Sequence, residues 1–135
     1  MLGYRGEGIT HSVPMAADHA IAKGDVVAFD ADGWLVLAPA GEKNPVGIAA
    51  EGRTTGPGEH PHLGFVLHGI AGVRAETAVR AGRAVKVGES SGLVAELPEQ
   101  KVDPSTPFVL YPNEKVGIAL QDIAAGAEGD VFVGA

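Results

Sequence analysis

The chain contains no cysteine. It can therefore form neither a disulfide framework nor a thiolate metal site or nucleophile. Aromatic residues make up only 5% of the sequence, too few for the aromatic platform that sugar-binding domains commonly use. These two shortages remove several classes of enzyme and binding site before any motif is considered.

Basic clusters and long apolar runs are also missing. The ten Lys and Arg residues are scattered singly from Arg5 to Lys115, and the net charge is -7. No patch would neutralise phosphates, so nucleic acid and anionic membranes are poor partners. No apolar run approaches the ~20 residues of a membrane span, and MLGYRGEG at the N-terminus does not resemble a secretory signal. We expect a soluble protein that is not exported.

Glycine and proline are abundant instead. Twenty glycines and nine prolines interrupt a chain of 135 residues, and no segment sustains helical apolar periodicity. What remains are short runs rich in Val, Ile, Leu and Phe, bounded by turn residues, which predict an all-β protein. The predicted strands are 9–14, 25–30, 33–38, 45–50, 62–70, 83–88, 92–97, 107–110, 115–120 and 130–134.

Two turn signals punctuate these strands. DADG at 30–33 predicts a hairpin, because aspartate side chains bond nearby backbone and Gly33 accepts a positive φ. GESSG at 88–92 is its counterpart. The segments 16–22 and 74–82 are the only candidates for a short helical turn, each ending near a glycine, and extended chain is the alternative for both.

The order of parts occurs twice along the chain. In each copy a glycine turn precedes a hairpin, a G-I-A strand and a closing strand. The matching residues are Ala20 with Ala78, Gly24 with Gly82, Gly33 with Gly92, and Gly47, Ile48 and Ala49 with Gly117, Ile118 and Ala119. The second copy has a longer loop at 98–114. Such self-similarity predicts an internal duplication.

The duplication suggests an architecture and its boundaries. We expect a small β-barrel or sandwich in which two similar β-units pack with pseudo-twofold symmetry. Residues 1–15 would form an N-terminal arm and first strand, 16–73 the first unit and 74–135 the second. Together they would make one compact domain, since a chain of this length buries roughly two thirds of its unfolded surface.

Three stretches carry a resemblance to a known family: ITHSVPMAADHAIAKGDVVAF, PVGIAAEG and KVGIALQDIAAGAEGDVFVG. Their order resembles the small capsid decoration, or cement, proteins of tailed bacteriophages, and the resemblance covers nearly the whole chain. The repeated G-I-A and the long loop at 98–114 depart from the family pattern.

The resemblance implies a structural protein of the virion without enzymatic activity or cofactor. It would be made in the host cytoplasm, commonly as a homotrimer, and would bind the major capsid protein on the exterior of an expanded head, where it bridges neighbouring coat subunits. The N-terminal segment would suit an arm that adds a strand to a partner; a frayed terminus is the alternative. The partner-binding candidates are Tyr4, Ile9, His11, Val13, Trp34, Phe108 and Tyr111.

Candidate chemistry is sparse. Glu59, His60 and His62 place a carboxylate and two imidazoles within GEHPHLG, a weak zinc candidate whose spacing matches no established motif. An exposed turn with solvated histidines is the simpler interpretation. The remaining histidines, His11, His19 and His68, stand singly in the sequence. Asp25, Asp30 and Asp32 lack the calcium-loop spacing, so turn formation is the simpler role.

Two further function classes remain open. A swinging-arm carrier domain of the lipoyl or biotinyl kind would carry its group on Lys86, but such lysines stand at hairpin tips and Lys86 lies inside a predicted strand. A sugar-binding accessory β-domain is the other. The family resemblance favours the decoration role over both.

Overall fold

The computed structural model describes residues 3–98 and 113–134. This part of the chain contains strands and turns and no helix, which confirms the all-β prediction. The strands are β1 (Gly3–Pro14), β2 (Ala20–Ile21), β3 (Val26–Phe29), β4 (Leu35–Leu37), β5 (Gly47–Ala49), β6 (Arg53–Thr54), β7 (His62–Arg74), β8 (Ala84–Val87), β9 (Val94–Glu96), β10 (Gly117–Ala119) and β11 (Glu128–Val133).

One curled, half-barrel sheet contains nine of these strands. Its order is β4-β3-β5-β7-β11-β10-β8-β9, with β1 paired to β7 and every strand pair antiparallel. β2 and β6 form a separate two-stranded ribbon. In the described residues, therefore, no helix is long and apolar enough to cross a bilayer.

β7 is the central strand. β1 lies along its length, opposite residues 62–72, whereas β5 is opposite Phe65 and Val66, and β11 is opposite 69–74. The register with β1 slips at Leu67, which has no opposing residue, and Gly69 follows with a φ of 131°. A bulge of this kind bends a strand and raises its twist. The part of β7 before the bulge therefore pairs with the first half of the sheet, and the part after it pairs with the second half.

Hydrogen bonds repeat between the two halves. The Gly24 N–H donates to the Ala49 carbonyl at 2.9 Å, and the Gly82 N–H to the Ala119 carbonyl at 2.8 Å. Two more bonds recur in the same way. The Val46 N–H donates to the Val27 carbonyl, and correspondingly the Val116 N–H donates to the Val85 carbonyl. The Ala38 N–H donates to the Val26 carbonyl, and correspondingly the Leu97 N–H donates to the Ala84 carbonyl. The repeated sequence thus has a repeated backbone, with β3, β4, β5 and β7 corresponding to β8, β9, β10 and β11. The domain boundaries at 15 and 73 remain a prediction.

Two apolar clusters lie on the two sides of the sheet. The larger combines residues from both halves, including Val26, Ile48, Val66, Val85 and Val131. The smaller belongs to the first half alone, and the β2–β6 ribbon contributes Ile21 to it; its buried members are Met15, Ile21, Val27, Leu35, Ala49, Leu63 and Phe65.

The halves do not bury equivalent faces on each other. Val27 and Ala49 belong to the smaller cluster, yet their counterparts Val85 and Ala119 belong to the larger one. The face of the first half that packs against the second half is the opposite one, which carries Val26. The pseudo-twofold packing expected from the sequence is therefore wrong: the bend of β7 makes unlike faces meet.

Two glycines permit close strand approach. A Cβ built on Gly47 would lie 2.4 Å from the Val66 carbonyl oxygen, and one on Gly117 would lie 2.3 Å from that of Phe132. Both belong to the G-I-A repeats, and in each case the obstacle includes backbone that cannot rotate away. The repeated glycine is needed because a neighbouring strand passes too near for any side chain.

The helical alternative for 16–22 and 74–82 is wrong. β2 occupies the end of the first segment, and Val79 in the second exchanges two 2.8 Å backbone hydrogen bonds with Ile123. The β2–β6 ribbon was not predicted, because two-residue strands carry no periodic signal. The predicted strand 107–110 lies outside the described residues; each of the other nine contains or overlaps an observed strand.

We expect Gly47→Ala and Gly117→Ala each to lower the free energy of unfolding by about 2 kcal/mol, because overpacking forces backbone shifts. Urea unfolding measures this change. Gly64→Ala in β7 is the matched control, since its Cβ would meet nothing within 4 Å. Equal stability of all three variants would show that the strands can separate without cost.

A pH-dependent prediction concerns Asp25. Burial raises the pKa of this carboxyl above its ordinary 3.8, against the opposing effects of the Ala22 N–H and the Arg74 charge. The folded state therefore holds the proton more tightly than the unfolded state, and stability is lost as pH rises from 3.8 through the folded value. Asp25→Asn keeps an oxygen for the Ala22 N–H and should gain stability relative to wild type between about pH 3 and about pH 7. Asp32→Asn, at an exposed position, should show no such gain in the same unfolding series.

Candidate interaction surfaces

β1 presents one edge that no other strand of the described residues occupies. Its partner β7 takes up only the other edge. The Ala50 N–H donates to the Gly64 carbonyl at 2.9 Å, so the backbone groups of Gly64 point toward β5. Since backbone groups alternate along a strand, those of Phe65 point to β1. Ser12, opposite Gly64, therefore directs its N–H outward, as does Thr10.

Apolar side chains lie beside this edge. Ile9 is 58% exposed and Leu67, at the bulge opposite it, is 45% exposed. His11 is exposed and meets the ring of Phe65 edge-on, with centroids 6.1 Å apart. Val13 is half-buried against the smaller cluster. Three of the predicted partner-binding residues, Ile9, His11 and Val13, thus lie along one strand edge.

The N-terminal segment is not a separable arm. β1 begins at Gly3 and already pairs there with Gly72, and Tyr4 lies opposite Ala71. Removing residues 1–13 would take from β7 all of its β1 partners except Pro14, and it would uncover Phe65. From Gly3 onward β1 is therefore an integral strand of the sheet and not an arm free to leave it.

Trp34 is stacked and half-buried. Its ring lies parallel to His60, with centroids 3.8 Å apart and planes 16° apart. The His60 Nδ1 is 2.9 Å from the Met15 carbonyl oxygen, which fixes the imidazole against the smaller cluster. One face of the indole is covered in this way, so Trp34 holds the turns 30–33 and 56–61 together.

His19 has a structural task that its isolated sequence position did not indicate. Its Nε2 accepts a 2.8 Å hydrogen bond from the Leu37 N–H, so this nitrogen carries no proton. Buried Thr55 completes the cluster, because its hydroxyl accepts from the His19 N–H and donates to the Ala16 carbonyl. These bonds fasten the β2–β6 ribbon onto β4.

The zinc candidate does not assemble. Glu59 accepts a close hydrogen bond from the Gly56 N–H within its own turn, His60 stacks on Trp34, and His62 begins β7 with an exposed side chain. Throughout residues 3–98 and 113–134, no three His, Asp or Glu side chains lie close enough to hold a metal ion. The three residues instead shape the turn that enters β7.

Two of the aspartates accept backbone hydrogen bonds within turns of the chain. The Asp30 Oδ1 accepts hydrogen bonds from the N–H groups of Asp32 and Trp34, both at 2.9 Å, and Gly33 has a φ of 85°. The Asp25 Oδ2 accepts from the Ala22 N–H at 2.8 Å. His68 is exposed and meets Phe132 edge-on at 5.2 Å. Turn formation accounts for Asp25 and Asp30.

Lys86 lies in the middle of β8 opposite Ala95 and not at a hairpin tip. Its ammonium is 3.8 Å from the buried carboxylate of Glu114, which Lys43 also approaches at 3.0 Å. A shallow cleft of about 470 Å³ opens beside it. A carrier domain displays its lysine at a mobile tip, so this placement disfavours that alternative.

An apolar row on the outside of the second half was not predicted from the sequence. Ile70, Phe132, Ile118 and Ala84 lie directly opposite one another across β7, β11, β10 and β8, and all are half-buried. We call these four residues the outer row. The repeat alignment matches Ile118 with Ile48 of the larger cluster, but it does not indicate that the second copy leaves this position half-exposed. Phe108 and Tyr111 lie outside the described residues.

Comparison with known proteins was informative at the level of structure. No protein-family model matches the chain, and no curated protein matches it either. Among solved structures, the head fiber gp8.5 N base of bacteriophage phi29 superposes with a TM-score of 0.61 at 16% identity, over 93% of this chain and 94% of that one. The likeness establishes a shared fold over most of the chain.

The Trp34–His60 stack generates a stability prediction. We expect Trp34→Ala and His60→Ala to destabilise the fold, with a coupling energy of about 1 kcal/mol in a double-mutant cycle, because stacked rings contribute beyond their buried area. Chemical denaturation of the two single variants and the double variant measures the coupling. His62→Ala, exposed and unstacked, should show no coupling to Trp34. If the losses of unfolding free energy caused by Trp34→Ala and His60→Ala simply add in the double variant, the two rings touch without stabilising each other.

Proposed function

We propose that this chain is a structural protein of a tailed-phage head, which binds the exterior of the expanded capsid and bridges neighbouring coat subunits. The observation that carries the proposal is the whole-length fold match to a head fiber base. The sequence resemblance to capsid decoration proteins supports the same assignment independently. Both relationships lead to structural proteins of phage heads.

The edge of β1 supplies a means of attachment. Outward N–H groups at Thr10 and Ser12, flanked by exposed Ile9, form a template on which a strand of the coat protein can pair. In such strand addition the main chain provides affinity and alternate side chains provide specificity. This proposal keeps Ile9 and His11 as coat contacts and gives Val13 the role of holding β1 to the core.

Stabilisation of the head follows from mass action. A protein that binds only the expanded lattice lowers the free energy of that lattice, and several linked copies add avidity. We expect a homotrimer, so that one molecule reaches several coat subunits. A native mass near three times 13.7 kDa, with no covalent group on Lys86, would support this expectation over the carrier domain.

A single substitution tests the β1 edge. Ser12→Pro removes an outward N–H without breaking the ladder to β7, and proline is tolerated on edge strands. We expect this variant to melt like wild type and to lose binding to expanded heads that lack the protein, as measured by co-sedimentation.

His11→Pro is the contrasting variant, because the N–H of His11 points into the ladder with β7. We expect it to lower the melting temperature directly. Undiminished head binding by a folded Ser12→Pro protein would exclude strand addition at this edge. Failure of wild type itself to bind heads would refute the proposed function.

A further inference from the structure

The outer row resembles an interior surface that has been left uncovered. Phe132, Ile118 and Ala84 correspond in the repeat to Val66, Ile48 and Val26, and these three are completely buried. Pairing registers define the correspondence, since Ile48 lies between Val26 and Val66 as Ile118 lies between Ala84 and Phe132. The same three strand positions are thus fully buried in the first half and half-exposed in the second.

The structure shows what covers this surface in the first half. The second half packs over Val26, Ile48 and Val66 with the face that carries Val85 and Val131. Its hairpin at 88–92 adds backbone bonds: the Val26 N–H donates to the Gly92 carbonyl and the Gly92 N–H donates to the Ala38 carbonyl, both at 3.0 Å. In the first half, therefore, the residues equivalent to the outer row are buried by the other β-unit of the same chain.

The chain also carries a matching hairpin with no cover of its own. The first-half hairpin at 30–33 corresponds to 88–92 and is exposed from Ala31 to Gly33. A Cβ on Gly33 would meet nothing within 4 Å, whereas one on Gly92 would meet Leu37 at 2.5 Å. The second-half hairpin is thus received by a neighbouring unit, whereas the first-half hairpin is exposed.

We propose that the outer row is the contact surface for a second copy of this chain, which places its 30–33 hairpin beside Ala84 and Leu97. Only the hairpin insertion is repeated between chains, because the first-half face equivalent to the one with Val85 and Val131 stays buried in the smaller cluster. The contact joins two different surfaces, so it is heterologous, and a heterologous contact that closes generates a ring. This inference concerns self-association alone and does not require that the protein bind heads.

Cross-linking tests the arrangement cleanly because the chain has no native cysteine. Asp32→Cys and Ala84→Cys proteins are mixed and treated with a short bis-maleimide reagent. We expect mixed Asp32–Ala84 links to dominate over links between identical variants, since the two positions meet only across a head-to-tail contact. Predominant Ala84–Ala84 links would mean a symmetric contact and would overturn the proposal.

Native mass spectrometry without phage heads provides the second measurement. We expect Ile118→Asp to convert the wild-type oligomer to monomer with its circular dichroism retained, and Ala124→Asp, exposed in the turn before β11, to keep the oligomer. A wild-type protein that stays monomeric at all concentrations would overturn the proposal. Because no head is present, these outcomes are separate from the co-sedimentation result.

Discussion

The double use of β7 is the constraint on which the rest of the structure depends. One strand of thirteen residues closes the first half of the sheet and opens the second. Its N-terminal part bonds to β5, its C-terminal part bonds to β11, and β1 accompanies most of its length. The bulge at Leu67 separates these parts and turns the second half over the first. Without this bend, the second half of the sheet would not pack against the first half to complete the larger cluster.

The bend explains why two copies of one β-unit need different side chains. Ala28 in the first half is buried in the larger cluster, whereas its counterpart Lys86 in the second half is half-buried and reaches toward the carboxylate of Glu114. Backbone and glycines repeat because strand pairing is the same in both copies. Side chains diverge because the same position faces the interior in one copy and the outside in the other.

The sequence was informative where local chemistry decides structure. The all-β class, most strands and the DADG turn follow from alternation and turn residues, and each of these acts within a few positions. It was uninformative where distant parts meet. The His19 bond to Leu37, the Trp34–His60 stack and the unlike packing of the halves depend on tertiary contacts that no local pattern encodes.

The candidate interaction surfaces were predictable only where a local sequence feature marks them. Ile9 and His11 were predictable because an exposed apolar residue in a strand near a terminus is a local feature. The outer row was not predicted, because its four residues come from four strands and are adjacent only after the sheet has formed. Lys86 was correctly placed within a strand, while its partner Glu114 is distant in sequence and follows a long loop.

The directions of the terminal strands also have a mechanical meaning. β1 runs from opposite Gly72 back to opposite His62, while β11 runs from opposite Arg74 to opposite Gly69. Both strands are antiparallel to β7 and hence parallel to each other, so pulling the two chain ends apart drags β1 and β11 along β7 in opposite directions. Such a load strains the hydrogen bonds of both ladders together and does not open them one at a time. Under such a load the two ladders on β7 would resist together in shear.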